Sequence, residues 1–321
     1  MNAVAVDSLV ASGRDLDRPE CVLCTARGDT YVADWRGGVT RIARDGSQEL
    51  IAGPAPGGRA LKPNGIALRA DGSFLVADLS PDTGGVFEWF RDGQVRPLLE
   101  QVDGITLPPT NFVVQDAAAR TWVTVSTRRV PRILGCRPDC DDGFIVLVDD
   151  RGARIVADGL GYTNEVAIDP TGGWLYVNET FARRLSRFAL GPDGELGPRQ
   201  TVSEFGRGTF PDGVAFDVDG HAWITSIVSN RVIRVAPDGG QQVVIEDSDD
   251  EHVAWVEAAW AGGGLERRHL DRVRSRRLQN ISSLAFGGPD LKTAVLGCLQ
   301  GRTLETFRVP VAGLAPVHWN F

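Results

Sequence analysis

Residues 211–226 read PDGVAFDVDGHAWITS, and this stretch decides the fold. Two apolar runs, Val214–Phe216 and Ala222–Thr225, flank Asp219-Gly220. An Asp-Gly pair between such runs signals a hairpin, because glycine accepts the positive φ that a tight turn demands. The unit recurs as ECVLCTARGDTYVAD (20–34), NGIALRADGSFLVAD (64–78), NFVVQDAAARTWVTVS (111–126) and NEVAIDPTGGWLYVNET (164–180). A degenerate copy, SSLAFGGPDLKTAVLGC, spans 282–298. In this register every copy opens on an oxygen-bearing residue: Glu20, Asn64, Asn111, Asn164, Asp212 and Ser282.

The heads lie 44, 47, 53, 48 and 70 residues apart. A period of roughly 40–50 residues is that of a four-stranded propeller blade, which needs neighbours to bury its faces. A second hairpin follows each first one, as in GGVTRIARDG after Asp34 and NRVIRVAPDG after Ser229. The pattern predicts an all-β, six-bladed β-propeller occupying residues 1–321 as one domain. Residues 3–11 (AVAVDSLVA) alternate like a lone strand, expected to complete the last blade beside 303–309. Residues 247–279 break the rhythm: they are charged, with Val253, Val256 and Trp260 at helical spacing, and predict a partly helical insertion between blades five and six. If each head starts an innermost strand, this insertion, the 127–143 loop and all six heads share one face, where the two long connections would wall a pocket.

The formal charge of −8, without a Lys/Arg cluster, argues against a nucleic-acid surface. No apolar run approaches the roughly 18 residues that cross a bilayer. The first residues, MNAVAVDSLVASGRD, lack the basic and apolar regions of a signal peptide, so a cytoplasmic location is expected. Of five cysteines, Cys21 and Cys24 suit core packing, whereas Cys136 and Cys140 bracket a CRPDC loop where a bridge or a metal is conceivable. No GxSxG occurs, and a Ser-His-Asp triad has no support. His252 and His269, in the insertion, are the histidines that could reach the site face.

Innermost strands line the channel of a propeller, so the six heads form a ring about its axis. Carboxylate and amide oxygens without thiolate or imidazole suit calcium or another hard divalent ion. A cation would also remove the cost of burying two unpaired carboxylates. One such polar residue would be read as a turn cap; six in register are not.

The hairpins PNGIALRADGSFLVAD, TNEVAIDPTGGWLYVNET and PDGVAFDVDGHAWITS resemble those of the senescence marker protein/gluconolactonase/luciferin-regenerating-enzyme family of six-bladed propellers. The similarity runs over nearly the whole chain. It implies one catalytic divalent metal, usually calcium, with zinc, manganese and magnesium as alternatives. Residue by residue, the family's ligands match Glu20, Asn111, Asn164 and Asp212, leaving Asn64 and Ser282 to orient them or touch substrate. The implied activity is metal-dependent hydrolysis of a lactone or related ester on a small-molecule substrate, with Asp212 as base or nucleophile. The family's Gly-Glu-Gly-Pro motif is replaced by Arg18-Pro19-Glu20-Cys21, and Pro109 stands where sugar-lactonase members often have Arg. A less polar lactone or ester is thus as plausible as an aldonolactone. Ends of second strands suggest a rim of Trp35, Thr127, Arg128, Glu179 and Ser226; Glu179 and Arg128 are its candidate substrate contacts. Two other readings stand beside the hydrolase. One is a non-catalytic ligand- or protein-binding propeller with a structural ion; the other is a phosphotriesterase-like or non-hydrolytic enzyme using the same metal.

Overall fold

Six four-stranded antiparallel sheets radiate from an axis in the computed structural model, which describes residues 3–321. The inner strands are Val22–Cys24, Pro63–Leu68, Thr110–Gln115, Thr163–Ile168, Thr209–Phe216 and Ile281–Gly287. Blades one to five run outward in chain order, so each is a hairpin followed by a hairpin. Blade six takes its outermost strand, Val10–Ser12, from the other end of the chain, with Val10 opposite Thr306 and Ser12 opposite Leu304. This closes the ring between its two ends. The expected strand over 3–11 is shorter and later than its alternation implies. Val6–Ser8 form a 3-10 turn, and Val6 and Leu9, three residues apart, fall on its one buried face.

The hairpin turns repeat one device. In blade five, Gly220 takes φ +81°, and Asp217 accepts the amides of Asp219 and His221 on one oxygen and the Trp223 indole on the other (2.9 Å). In blade three, Asp116 does the same for Ala118, Arg120 and Trp122. The buried tryptophans thereby satisfy their N–H groups while packing between blades.

Five of the inner strands lose register at their heads, as between Thr163 and Val166 and between Pro211 and Val214. A bulge bends a strand and re-aims its side chains. Below the heads the channel opens into a cavity of about 570 Å³ whose wall includes Leu23, Val114, Ala167, Ala215 and Ala285. The C-terminal segment straps this lower end: Gly313 bridges to Asp217, the Leu314 amide donates to the Phe216 carbonyl (2.8 Å), and Ala26 donates to the Trp319 carbonyl (2.7 Å).

The upper end carries the insertion. Helix α1 (Asp250–Ala261) is capped by Asp249, which accepts the His252 amide (2.7 Å), and α2 (Arg267–Asp271) follows the glycine run. Val253, Val256, Leu265 and Leu270 pack on Tyr162, Phe181, Phe210 and Cys136, with Ile133 at the edge. Insertion and 127–143 loop thus form one apolar layer. That layer rests on Tyr162 and Phe210, two residues before the heads Asn164 and Asp212. No helix among the described residues is long and apolar enough to cross a membrane.

Candidate metal centre

All six heads are buried, and hydrogen bonds link those of blades one, two, three and six. Asn64 Nδ2 donates to Glu20 Oε1 (2.7 Å) and to the Asn111 carbonyl (2.9 Å). Ser282 Oγ donates to the Glu20 carbonyl (3.3 Å). The amide nitrogens of Asn111 and Asn164 are spent on the hydroxyls of Ser126 and Thr180, each at 3.0 Å. Donating nitrogen there assigns each amide's orientation; the Asn164 oxygen is left for another partner, and the Asn111 oxygen lies 3.5 Å from Asn64 Nδ2.

Glu20 Oε2, Asn64 Oδ1, Asn164 Oδ1 and Asp212 Oδ1 are buried and receive no hydrogen bond. Arg18 Nη2 approaches Glu20 Oε2 at 3.1 Å as an ion pair. Buried acceptors without donors each cost about 1–3 kcal/mol, and native proteins hold few of them. Several at the heads of one ring fit an oxygen-binding cation, and the donor set, all oxygen, fits a hard ion better than a soft one.

Burial pushes the Asp212 carboxyl well above the usual carboxylate range, and the charges of Glu20 and Glu165 add to it while Arg18 and Arg132 pull back. Glu165 is a residue that the repeat alignment passes over. It follows the head Asn164, is buried, and lines the cavity below, accepting the Val214 amide (3.0 Å) from the next blade. Burial pushes it up to about 8 against that amide, with Glu20 adding to the rise. The corresponding positions are Cys21, Gly65, Phe112, Gly213 and Ser283. A carboxylate among them was a visible signal, but strict strand alternation would aim it away from the axis.

Two expected substrate contacts are committed elsewhere. Glu179 has no exposed side-chain surface; its carboxylate accepts the Gly161 amide, Ser186 and Arg184, with Arg199 at 3.4 Å. Burial works against the charge, yet Arg184, the amide and Ser186 hold its pKa below the ordinary value. Arg128 grips Asp158 through two nitrogens (2.7 and 2.8 Å), bonds the Asp142 carbonyl and stacks on Phe144. The insertion histidines also turn from the ring. His252 is buried against Trp255, and His269 caps α2 through Glu266 while stacking on the same Trp255 at 4.2 Å. All five cysteines are free and buried, so CRPDC holds no bridge.

Among the described residues, one group of three His, Cys, Asp or Glu side chains lies close enough to grip an ion: Asp217, Asp219 and His221. It sits in the blade-five turn, where Asp217 is already saturated by Trp223, Arg234 and two amides.

The profile of the SMP-30/Gluconolactonase/LRE-like region family matches residues 57–248. A 6-deoxy-6-sulfogluconolactonase of Pseudomonas putida is 32% identical over 224 residues, covering 68% of this chain and 71% of that protein. Among solved structures, a gluconolactonase of Xanthomonas campestris superposes with a TM-score of 0.68 at 19% identity, over 94% of this chain and 89% of that one. Regucalcin, a calcium-binding protein of Agrobacterium tumefaciens, does so at 0.66 and 16% identity, over 97% and 98%. At these identities the superpositions establish the fold. The match in sequence goes further, and the chain belongs to the SMP-30/gluconolactonase/LRE-like family.

Proposed function

We propose that this protein hydrolyses a lactone with the help of one divalent ion, calcium before other hard ions, held by Glu20, Asn111, Asn164 and Asp212. The observation that carries the reading is the set of buried, undonated oxygens on Glu20, Asn164 and Asp212, in a chain of this family; Asn111 joins them by its place in the register. The Pseudomonas putida relative supports the bond type: it is named for the lactone of a gluconic acid bearing a sulfo group at position 6. When bound, the ion would supply Lewis acidity toward the lactone carbonyl and charge stabilisation for its oxyanion.

The chain's own residues do the rest. Asn64 bridges Glu20 and Asn111 and so fixes two donors with one amide. Ser126 and Thr180 accept the amide nitrogens of Asn111 and Asn164 and so orient both side chains. The Asp212 carboxylate takes a proton from the water that attacks the carbonyl carbon. The bond from that carbon to the ring oxygen then breaks, and the proton returns to the leaving oxygen to give the hydroxy acid.

Metal content tests this directly, on wild type beside Asp212→Ala and Asn164→Ala with folding checked by circular dichroism. One divalent ion per wild-type chain, lost in both folded variants, together with chelator-sensitive lactone hydrolysis, is the expected result. A wild type that binds no ion after calcium loading would overturn the mechanism.

A further inference from the structure

Above the ring the chain places positive charge that the hydrolysis just described does not use. Arg18 is buried, its Nε without a partner, with its guanidinium over the Trp35 ring at 4.5 Å and Nη2 on Glu20. Its backbone is held at φ +49°, a left-handed conformation that a non-glycine residue adopts at a cost and that clusters at functional positions. Lys62 lies over the same Trp35 ring at 4.8 Å. Across from blade one, Arg132 of the 127–143 loop donates its Nε to Tyr162 Oη (2.8 Å) and stacks on that ring. Its two terminal nitrogens have no protein partner among the described residues. Arg18 and Arg132 lie within electrostatic reach of each other and of Asp212, with Arg267 of α2 adding to the same field around Arg18.

Charge balance says what this arrangement is for. Glu20 and Asp212 are the countercharges of these arginines, and a divalent ion bound by the same two carboxylates would claim them. Arg18 and Arg132 are then left without an anion, one buried and the other half-buried. Planar guanidiniums immobilised on aromatic rings, with N–H groups left over, are suited to oxyanions, which they bind through paired hydrogen bonds.

We propose that Arg18 and Arg132 form an oxyanion-binding subsite above the metal ring, and that the lactone substrate carries an acidic substituent (a sulfonate, carboxylate or phosphate) which these residues seat. The proposal rests on the lactonase reading for its substrate and on the arginines for the charge. Arg18 and Arg132 are here specificity residues; neither touches the bond that breaks.

The test uses calcium-loaded full-length protein and ring-opened acids as probes: gluconate, and its counterparts with sulfonate, carboxylate or phosphate at position 6. Affinities come from calorimetry on wild type, Arg132→Ala and Arg132→Lys, since Arg18 is buried and its removal endangers folding. At least one acidic probe should bind wild type roughly tenfold or more tighter than gluconate. Arg132→Ala should abolish most of that preference while leaving gluconate binding and ion content unchanged, and Arg132→Lys should restore part of it. The acid preferred identifies the substituent. Equal binding of all four acids by wild type, or a preference that survives Arg132→Ala, overturns the subsite. Hydrolysis of neutral glucono-lactone by the same preparations separates the two claims. Its presence without an acid preference sinks only the subsite; failure to hydrolyse both glucono-lactone and the lactones of the acidic probes, with an Arg132-dependent preference, sinks only the lactonase reading.

Discussion

Stripping the protein of divalent ions should make its stability fall as the pH rises. In the folded, ion-free chain Glu165 titrates at about 8 instead of its ordinary 4.5, because burial disfavours the charged form. A carboxyl raised on folding binds its proton more tightly in the native state, so stability is fully present below the unfolded value. It is lost as the pH climbs toward the folded one. At about 1.36 kcal/mol per pH unit the loss approaches about 5 kcal/mol above pH 8, of which about 3 kcal/mol falls between pH 5 and pH 8. Asp212, raised by the same burial and by Glu165 itself, steepens the slope. Calcium should reverse the trend, since a ligand at a hundred times its dissociation constant adds about 2.7 kcal/mol and this one favours the ionised carboxylates. The assay is calorimetric or fluorescence melting at pH 5, 6, 7 and 8, in chelator and in calcium, for wild type and Glu165→Gln. The wild type in chelator should lose several degrees across the range, and the variant should melt on a flatter line. A Tm independent of pH in chelator, or an equally steep decline in Glu165→Gln, would refute the reasoning.

Other parts of the fold make separate predictions. Glu179→Gln removes the charge that Arg184 and Arg199 share inside blade four, and should cost about 3–5 kcal/mol in denaturant unfolding with calcium affinity unchanged. A loss of calcium binding would return Glu179 to the site. Gly213→Ala would set a Cβ 2.5 Å from the Ser282 carbonyl oxygen and 2.7 Å from Ser283 Cα. It should destabilise by more than about 1 kcal/mol and weaken calcium binding by displacing Asp212, and an unchanged Tm would contradict the close approach of blades five and six. Deleting residues 1–12 strips the outer strand from blade six and exposes the edge Leu304–Arg308. It should lower the Tm sharply and promote association, seen by light scattering, whereas a monomer of unchanged Tm would mean that ring closure contributes little.

The blades were legible because each is a variation on the others. Register between Glu20, Asn64, Asn111, Asn164, Asp212 and Ser282 emerges when the chain is compared with itself, and the folded chain buries all six and hydrogen-bonds Glu20, Asn64, Asn111 and Ser282 to one another. Glu165 was not legible for a local reason. Alternation puts residues 164 and 165 on opposite faces, but the register break between Thr163 and Val166 lets both reach the interior. The shortened first strand has a similar origin, since Val6 and Leu9 satisfy a three-residue turn as well as an irregular strand pattern.

Residues that occur once have no such internal reference, and the 127–143 loop shows the consequence. Arg128 and Arg132 lie four positions apart in the same loop. As letters in the sequence they are equivalent candidates for binding an anion. Arg128 is neutralised by Asp158, a partner 30 residues away, whereas Arg132 meets Tyr162 and keeps two nitrogens free beside the ring. What separates them is the tertiary position of one aspartate and one tyrosine. The repeat therefore points to the centre where an ion would bind, while substrate choice depends on side chains whose partners only the folded chain reveals. Removing the partner of Arg128 should not move the subsite within the loop: Asp158→Ala would free Arg128 at the cost of one half-exposed ion pair. Freed, it still stacks on Phe144 rather than Tyr162, so the acid preference assigned to Arg132 should persist unchanged in Asp158→Ala.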